Sequence, residues 1–257
     1  MSEDPVAFYN ELADYYHLIY DNWDRAIERQ AAVLVPLLEE RVGPGPLRVL
    51  DCACGIGTQT IGIAVRGHTV VACDASEAAV RRAEREARER ALDVKFAVAD
   101  MRTMSGLPEG DFDVVLAADN ALPHLLSDED LAPALKNLFA LLKAGGIFVA
   151  SIRDYDRLLQ TRPAFQGPAF YSDDGRRRMV HQVWDWDGDE YVVHLYLTWD
   201  DGSSSVTKHF ATRYRAIRQS ELVERLAASG FDGIEWLTPE STGYFQPIVI
   251  ARKESKG

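Results

Sequence analysis

Short apolar segments alternate with helical segments through the middle of the chain. The apolar segments are residues 47–52, 68–73, 94–98, 112–118 and 147–152. Between them, the spacing of apolar positions predicts helices over 58–65, 76–90 and 128–142, and Gly145-Gly146 is expected to end the last of these. Buried strands that alternate with helices are typical of right-handed crossovers and of a parallel sheet covered on both faces. The pattern therefore predicts a doubly wound α/β fold.

The segments on either side of this core follow other patterns. Residues 8–38 have a helical period, with aromatic side chains in the first half, and a Gly-Pro-Gly-Pro break follows at 43–46. Beyond Arg153, apolar and polar positions alternate over 179–186, 191–199 and 205–214, and the dipeptides Asp187-Gly188 and Asp201-Gly202 between them are typical of hairpin turns. A helix over 219–228 and strands over 231–237 and 245–251 are expected to close the chain.

These patterns divide the chain into four predicted parts. They are an N-terminal helical lid over 1–42, a cofactor-binding core over 43–154, an antiparallel substrate cap over 155–216, and a closing helix and strands over 217–257. With the two closing strands, the predicted sheet has seven strands and is mostly parallel. The antiparallel meander is an insertion into that fold.

Composition limits the partners. Lys and Arg number 28 against 40 Asp and Glu, a formal net charge of −12, which disfavours general binding to nucleic acid or to an anionic membrane. No apolar stretch approaches the roughly 18 residues of a membrane span, and the acidic start of the chain does not resemble a signal peptide. The three cysteines, Cys52, Cys54 and Cys73, do not form a disulfide framework, which predicts a reducing cytoplasm.

Two features point to a ribose-bearing cofactor. The segment 49–58 combines an apolar strand, the glycines Gly55 and Gly57, and the start of a helix, where backbone N–H groups are unpaired. Asp74 follows the second strand, at the distance where an acid bonds ribose hydroxyls. A tight turn and a helix cap near Ser76 are the structural alternatives.

The glycine pattern is not that of a dinucleotide site, because Thr60 stands where the third glycine would be. The sequence Asp51-x-Ala53-x-Gly55-x-Gly57 instead resembles motif I of class I S-adenosylmethionine-dependent methyltransferases. Asp100-Met101, the strand beginning Phe112-Asp113, and the turn at 141–146 extend that resemblance over residues 47–152. It implies a Rossmann-like methyltransferase fold, S-adenosyl-L-methionine as cofactor and S-adenosyl-L-homocysteine as product. The cofactor-binding residues it implies are Tyr9, Tyr16, Asp51, Ala53, Gly55, Gly57, Asp74, Ala75, Asp100, Met101 and Ala118.

A narrower resemblance is to the glycine and sarcosine N-methyltransferase group and related bacterial small-molecule N-methyltransferases. It rests on the N-terminal aromatic residues, on the segment 119–125, which resembles Gly-Asn-Ser-x-x-His-Leu, and on 152–156, which resembles His-Arg-Asn-Tyr-Asp. The substrate-binding residues it implies are Tyr20, Asn120, His124, Arg153, Trp184 and Tyr214.

Asp119 replaces the glycine of the first pattern, Ile152 replaces the His of the second, and Pro123 is unusual, which argues against glycine itself as the acceptor. If Trp184, Trp186 and Trp199 face inward, a planar N-heterocycle fits better than a small amino acid. The closing segment 243–248 resembles N-methyltransferases of the toxoflavin type, which act on an azapteridine.

The resemblance implies transfer of a methyl group to nitrogen of a small molecule, driven by proximity and orientation. No catalytic side chain is required for this, and His124 is the one candidate base. Alternatives are O- or C-methylation with His124 as base, a nucleotide-sugar reductase, for which Tyr-x-x-x-Lys is absent, and a non-catalytic cofactor-binding protein. No metal is expected, since Cys52 and Cys54 are too close for a zinc pair. Neither nucleic acid nor membrane is an expected partner, and a homo-oligomer stays open.

Overall fold

The computed structural model describes residues 4–104, 107, 110–173, 176–200 and 204–254, except for the side chains of residues 173 and 176. The strands are β1 (Arg48–Asp51), β2 (Thr69–Asp74), β3 (Lys95–Val98), β4 (Phe112–Ala117), β5 (Leu142–Ser151), β6 (Phe165–Asp173), β7 (Arg176–Asp187), β8 (Glu190–Asp200), β9 (Ser205–Arg215), β10 (Asp232–Leu237) and β11 (Ile248–Arg252). The helices are α1 (Pro5–Leu12), α2 (Trp23–Val42), α3 (Thr58–Val65), α4 (Glu77–Glu89), α5 (Asp128–Leu141), α6 (Tyr155–Thr161), α7 (Gln219–Ala228) and α8 (Pro239–Thr242). Two short 3₁₀ helices lie at Tyr16–Ile19 and Leu122–His124.

The central sheet has seven strands in the order β3-β2-β1-β4-β5-β11-β10. Strands β1–β5 pair parallel to one another, and β11 is antiparallel to both β5 and β10. The chain therefore builds outward from β1 to β3 and then returns to continue with β4 on the other side. This reversal leaves a crevice beyond the carboxyl ends of β1 and β4, where open α/β sheets bind their ligands. The predicted doubly wound, mostly parallel fold is confirmed.

Both faces of the sheet are covered by helices. On one face, Val115 and Phe148 pack with Leu135 and Leu138 of α5. On the other, Val114 packs in the cluster that contains Leu34 and Leu38 of α2. These side chains are buried almost completely, which explains why the parallel strands are continuous apolar runs in the sequence.

Two of the expected boundaries are wrong. The helix expected over 8–38 is divided into α1, a 3₁₀ helix and α2, because Asn22 starts a new helix: its Oδ1 accepts from the Arg25 N–H at 2.9 Å. Gly145 and Gly146 do not end a helix but lie inside β5. A Cβ on Gly146 would lie 3.0 Å from the Asp113 carbonyl oxygen, so glycine allows this strand to approach β4.

A second, antiparallel sheet has the order β6-β7-β8-β9. The turn expected at Asp187-Gly188 joins β7 to β8, with Gly188 at φ +61°, whereas Asp201-Gly202 lies outside the described residues. The edge strand β6 was not predicted, because Gly167 and Pro168 are typical of a loop. They lie where the pairing of β6 with β7 shifts register, and proline is tolerated in an edge strand.

The N-terminal segment joins the two sheets. Phe8 and Leu12 of α1 pack with Leu195 and Phe210 of the antiparallel sheet. On the other side, Oδ1 of Asn10 accepts from the Ser76 hydroxyl at 2.8 Å and from the Ala78 N–H at 3.1 Å, at the start of α4. The segment thus crosses the crevice of the central sheet. Among the described helices, none has the length and apolar character to cross a bilayer.

Candidate active site

The loop after β1 is held to the end of β2 by one carboxylate. Oδ2 of Asp74 accepts from the Gly55 N–H at 2.9 Å, and its Oδ1 accepts from the Ser76 N–H at 2.8 Å. Ser76 in turn caps α4 through the Ala79 N–H. Burial raises the pKa of Asp74, although these backbone N–H groups partly oppose the rise. Asp74 thus holds the turn, as the structural alternative expected, and its side chain also lines a cavity.

This cavity, the loop cavity, has a volume of about 430 Å³ and lies between the glycine loop and α1. Nine of the eleven predicted cofactor residues line it: Tyr9, Tyr16, Ala53, Gly55, Asp74, Ala75, Asp100, Met101 and Ala118. A Cβ on Gly55 would lie 3.5 Å from Cε1 of Tyr16, so a longer side chain there would enter the cavity. The volume, the glycine approach and the buried carboxylate fit a nucleoside-bearing ligand.

The other two predicted cofactor residues do not line the loop cavity. Asp51 is buried behind the loop, and its Oδ2 accepts from the Thr60 hydroxyl at 2.6 Å. Burial raises the pKa of Asp51 to about 7. Gly57 starts α3 at φ +96°, and a Cβ there would lie 3.3 Å from Cβ of Ala83. Both residues support the loop rather than face the loop cavity. Thr60, which stands where a dinucleotide site would have its third glycine, is the hydrogen-bond donor to Asp51.

Asp100 has a partner that the sequence did not indicate. The Arg102 guanidinium bonds both of its carboxylate oxygens at 2.6–3.0 Å. This pair lowers the pKa of Asp100. Met101, next to it, presents an apolar side chain to the same cavity.

A larger cavity, the cap cavity, lies beneath the antiparallel sheet and has a volume of about 1100 Å³. Five of the six predicted substrate residues line it: Tyr20, Asn120, Arg153, Trp184 and Tyr214. Four described residues line both cavities, namely Tyr9, Tyr16, Tyr20 and Asp119. The two cavities therefore meet at these four side chains.

Two hydrogen bonds fix the side-chain oxygen of Asn120, while its side-chain nitrogen has no partner within the described residues. Its Oδ1 accepts from the Arg153 N–H and from the Tyr155 hydroxyl, both at 3.0 Å. Because the backbone N–H can only donate, the oxygen must face it, and Nδ2 is turned the other way. Asn120 is 3% exposed, and Nδ2 has no partner within the described residues. A buried amide donor beside a cavity is a position where a ligand acceptor atom would be stabilised.

The Arg153 guanidinium lies among aromatic rings. It is 4.8 Å from the ring centre of Trp184 and 5.0 Å from that of Tyr214. It donates to the Tyr191 hydroxyl at 2.6 Å, and the Tyr191 and Tyr155 hydroxyls are 2.9 Å apart. The Tyr155 hydroxyl in turn donates to the Asn120 Oδ1. This chain of hydrogen bonds fixes a permanent positive charge on the wall of the cap cavity.

His124, the sixth predicted substrate residue, does not line the cap cavity with the other five. It lines the loop cavity instead. Its Nδ1 lies 3.3 Å from the Arg213 carbonyl oxygen and its Nε2 lies 3.1 Å from the Tyr9 hydroxyl. Since a carbonyl only accepts, Nδ1 carries the proton and Nε2 accepts from Tyr9. Burial lowers the pKa of His124 to about 3. The imidazole is therefore neutral, partnered on both nitrogens and a very weak base.

Of the three tryptophans of the antiparallel sheet, Trp184, Trp186 and Trp199, only the first lines the cap cavity. Trp184 lines the cap cavity, whereas Trp186 stacks on Tyr191 with ring centres 4.5 Å apart, and Trp199 packs on Tyr15. Sequence reasoning also missed the positioning roles of Tyr155 and Tyr191. The signal for Tyr155 was its place in the segment 152–156, but no local pattern indicated Tyr191.

The cysteines Cys52, Cys54 and Cys73 are buried free thiols, and burial raises the pKa of each. Within the described ranges, no three His, Cys, Asp or Glu side chains are grouped as metal ligands would be.

Sequence similarity to known proteins identifies the family. A family model described as a methyltransferase domain matches residues 49–146. The chain is 30% identical over 215 residues to glycine/sarcosine N-methyltransferase of Parasynechococcus marenigrum, covering 80% of this chain and 73% of that protein. The chain therefore belongs to the class I S-adenosylmethionine-dependent methyltransferases, and S-adenosylmethionine is its methyl donor.

Solved structures show the same fold. An S-adenosylmethionine-dependent methyltransferase of Clostridium acetobutylicum superposes with a TM-score of 0.76 at 20% identity, over 94% of this chain and 98% of that chain. The sugar N-methyltransferase KedS8 of a Streptoalloteichus species superposes with a TM-score of 0.77 at 19% identity, over 95% of this chain and 94% of that chain. The antiparallel cap is included in both superpositions, because each covers nearly the whole chain.

Proposed function

We propose that this methyltransferase transfers the methyl group to a nitrogen atom of a small molecule held in the cap cavity. The observation that carries the proposal is the meeting of the two cavities at Tyr9, Tyr16, Tyr20 and Asp119. Donor and acceptor sites that share a wall allow the two reactants to be held in line, which is the main requirement of methyl transfer.

The state of His124 favours nitrogen over oxygen. A hydroxyl group must lose its proton as it attacks, so an O-methyltransferase needs a competent base. With a pKa of about 3 and with Nε2 bonded to the Tyr9 hydroxyl, His124 does not supply one. An amine attacks with its lone pair and releases a proton only afterwards. The names of the relatives, glycine/sarcosine and sugar N-methyltransferases, support the same choice.

The size of the cap cavity favours an acceptor larger than glycine. About 1100 Å³ lies just above the usual range for the pockets of drug-sized ligands. Trp184 and Tyr214 contribute flat apolar walls, Asn120 contributes a free amide donor, and Arg153 contributes a positive charge. A planar N-heterocycle or another amine of comparable size, with an acceptor group for Asn120 and Arg153, fits these walls.

The chain's own residues then have distinct roles. The donor supplies a methyl group made electrophilic by a sulfonium sulfur. In this proposal Gly55 leaves room for it, Asp74 bonds its ribose hydroxyls, and Met101 offers an apolar surface to its base; the lining of the loop cavity by all three residues supports these roles. Tyr20 orients the acceptor nitrogen, a role supported by its position on the wall that the two cavities share.

The N-terminal segment acts as a lid in this proposal. Asp4, Pro5 and Tyr9 line the loop cavity from α1, so the donor enters and leaves by displacing that segment. Closing it excludes water from the junction, which strengthens the electrostatic interactions there.

Calorimetric titration with S-adenosylhomocysteine, with NADH as control, tests the donor site. We expect micromolar binding of the thioether and none of NADH. The protein with S-adenosylmethionine is then screened against azapteridines, amino sugars, glycine and sarcosine, and the methylated atom is located by NMR. A product methylated on oxygen or carbon would contradict the proposal, as would a well-folded protein that binds no S-adenosylhomocysteine.

A further inference from the structure

Asp119 is the carboxylate that the two cavities share. Among the described residues that line both, it is the one acidic side chain, the others being Tyr9, Tyr16 and Tyr20. It stands where the glycine/sarcosine N-methyltransferase pattern has a glycine, so the carboxylate is a feature of this chain. A charged group at the point where donor and acceptor meet affects the charge that develops during transfer.

The backbone at Asp119 is held in an unfavourable conformation. Asp119 has φ +55° and Asn120 has φ +67°, two successive non-glycine residues in the left-handed region. Such a conformation persists only where the surroundings enforce it, and it is found most often at functional sites. A glycine at 119 would adopt it without strain, so retaining an aspartate indicates a use for its carboxylate.

Neighbouring side chains fix the position of this carboxylate. The Asp119 N–H donates to the Ser151 Oγ at 2.8 Å, and the Ser151 hydroxyl donates to the Gln246 Oε1 at 2.9 Å. The Gln246 Nε2 lies 3.5 Å from the Asp119 Oδ1, which closes a ring of three residues. The Tyr20 side chain acts on the carboxyl as well and partly opposes the rise that burial causes in the pKa of Asp119. The positive charge of Arg153 acts on it and lowers its pKa, and the Arg153 guanidinium is itself engaged by Tyr191 and the aromatic rings.

We infer that Asp119 binds the acceptor nitrogen through an N–H group and receives its proton, so that the acceptor is an amine or imine-type nitrogen carrying at least one hydrogen. In this step a bond forms between the nitrogen and the methyl carbon, and the carbon–sulfur bond breaks with its electron pair left on sulfur. Positive charge moves onto nitrogen, next to the carboxylate. The proton then passes from nitrogen to Asp119, leaving a neutral methylated amine. This inference rests on the proposed N-methyl transfer.

A carboxylate suits this role better than a stronger base would. It is too weak to deprotonate a hydroxyl group, but a newly methylated ammonium next to it is acidic enough to lose a proton in a cavity that disfavours charge. Burial raises the pKa of Asp119, which helps it to hold that proton before solvent removes it. Transient positive charge on the nitrogen is stabilised by about the strength of a charge-assisted hydrogen bond.

Binding of sinefungin tests whether the Asp119 carboxylate lies beside the point of methyl transfer, and the test does not require the acceptor to be known. In this analogue a carbon that bears an amino group replaces the sulfonium sulfur and its methyl group, so an ammonium ion lies where the methyl group is delivered. The dissociation constants of sinefungin and S-adenosylhomocysteine are measured by calorimetry for the wild type, Asp119→Asn and Asp119→Gly. Glu240→Gln, which removes an exposed carboxylate at the rim of the cap cavity, is the matched control.

We expect the wild type and Glu240→Gln to bind sinefungin more tightly than S-adenosylhomocysteine, by about tenfold or more. Both Asp119 variants should lose that preference while their affinity for S-adenosylhomocysteine changes less than about threefold. Asparagine and glycine tolerate a positive φ, so both variants should fold. A preference for sinefungin that survives in both variants would overturn the inference and leave the proposed function intact. Failure of the wild type to bind S-adenosylhomocysteine would instead overturn the proposed function.

Discussion

The Tyr9 hydroxyl lies 3.1 Å from Nε2 of His124, although 115 residues separate the two in sequence. This contact joins α1 to the turn that follows β4. It occupies the one imidazole nitrogen that could accept a proton, since Nδ1 faces the Arg213 carbonyl oxygen. The same contact therefore closes the loop cavity and removes His124 from acid–base chemistry.

The pH dependence of stability tests the state of His124. Its pKa is about 3 in the folded protein against 6.5 when unperturbed, so the unfolded chain takes up a proton at a higher pH than the fold does. Stability from this residue is present above pH 6.5 and is lost as the pH falls from 6.5 toward 3. We expect the free energy of unfolding of the wild type, relative to His124→Gln, to fall by up to about 2 kcal/mol between pH 8 and pH 5.

Urea unfolding at pH 8, 6.5 and 5 gives that difference directly. At pH 8 neither state is protonated at this residue, so the comparison there isolates the cost of the substitution itself. A difference that stays constant over the three pH values would show that the imidazole is accessible to protons in the folded state.

The two carboxylates of the loop cavity should not contribute equally to donor binding. Each oxygen of Asp74 accepts one backbone N–H group, whereas each oxygen of Asp100 already accepts two bonds from N–H groups of Arg102. We expect Asp74→Asn to weaken S-adenosylhomocysteine binding by at least about tenfold, the loss of a charged hydrogen bond, and Asp100→Asn to weaken it by less. Calorimetry and circular dichroism measure affinity and folding. An equal or larger loss for Asp100→Asn would show that Asp100, and not Asp74, makes the main polar contact with the donor.

Arg153 should act on the acceptor and not on the donor. Arg153 lines the cap cavity but not the loop cavity. Arg157, an exposed residue of α6 at the rim of the cap cavity, is a matched control. Once an acceptor is found, Arg153→Ala should raise its KM by about tenfold or more and leave S-adenosylhomocysteine affinity within about twofold, since a charged partner is lost. Arg157→Ala should change neither. Similar kinetic constants for both variants would contradict the assignment of Arg153.

The hydrogen bonds of Asn10 test the lid. Asn10→Ala removes the two hydrogen bonds from Asn10 to the start of α4, each worth about 1 kcal/mol, whereas Glu11→Ala changes an exposed side chain of the same helix. We expect chymotrypsin to cleave the aromatic-rich segment before Trp23 faster in Asn10→Ala than in Glu11→Ala or the wild type. S-adenosylhomocysteine should slow cleavage in all three. Cleavage rates that do not respond to S-adenosylhomocysteine would argue against a lid.

Much of this protein was predictable because its signals are local. The glycines of the loop, the acid after the second strand and the continuous apolar runs each lie within one short segment. Parallel strands place their carboxyl ends at one edge of the sheet, so Ala53, Asp74, Asp100 and Ala118 come together once the strand order is known. Helix α7, expected over 219–228, has those bounds in the structure because its apolar spacing and its end at Gly230 leave little choice.

The sequence by itself therefore determined the fold class, the family and the donor. Tertiary structure decided which side chains remain free to act. Asp51 and Gly57 match the motif but support the loop, His124 is neutralised by Tyr9, and Asp119 reaches the junction of the two cavities. These outcomes depend on contacts between residues far apart in the chain and on burial, which shifts the pKa of a side chain without leaving any periodic trace in the sequence.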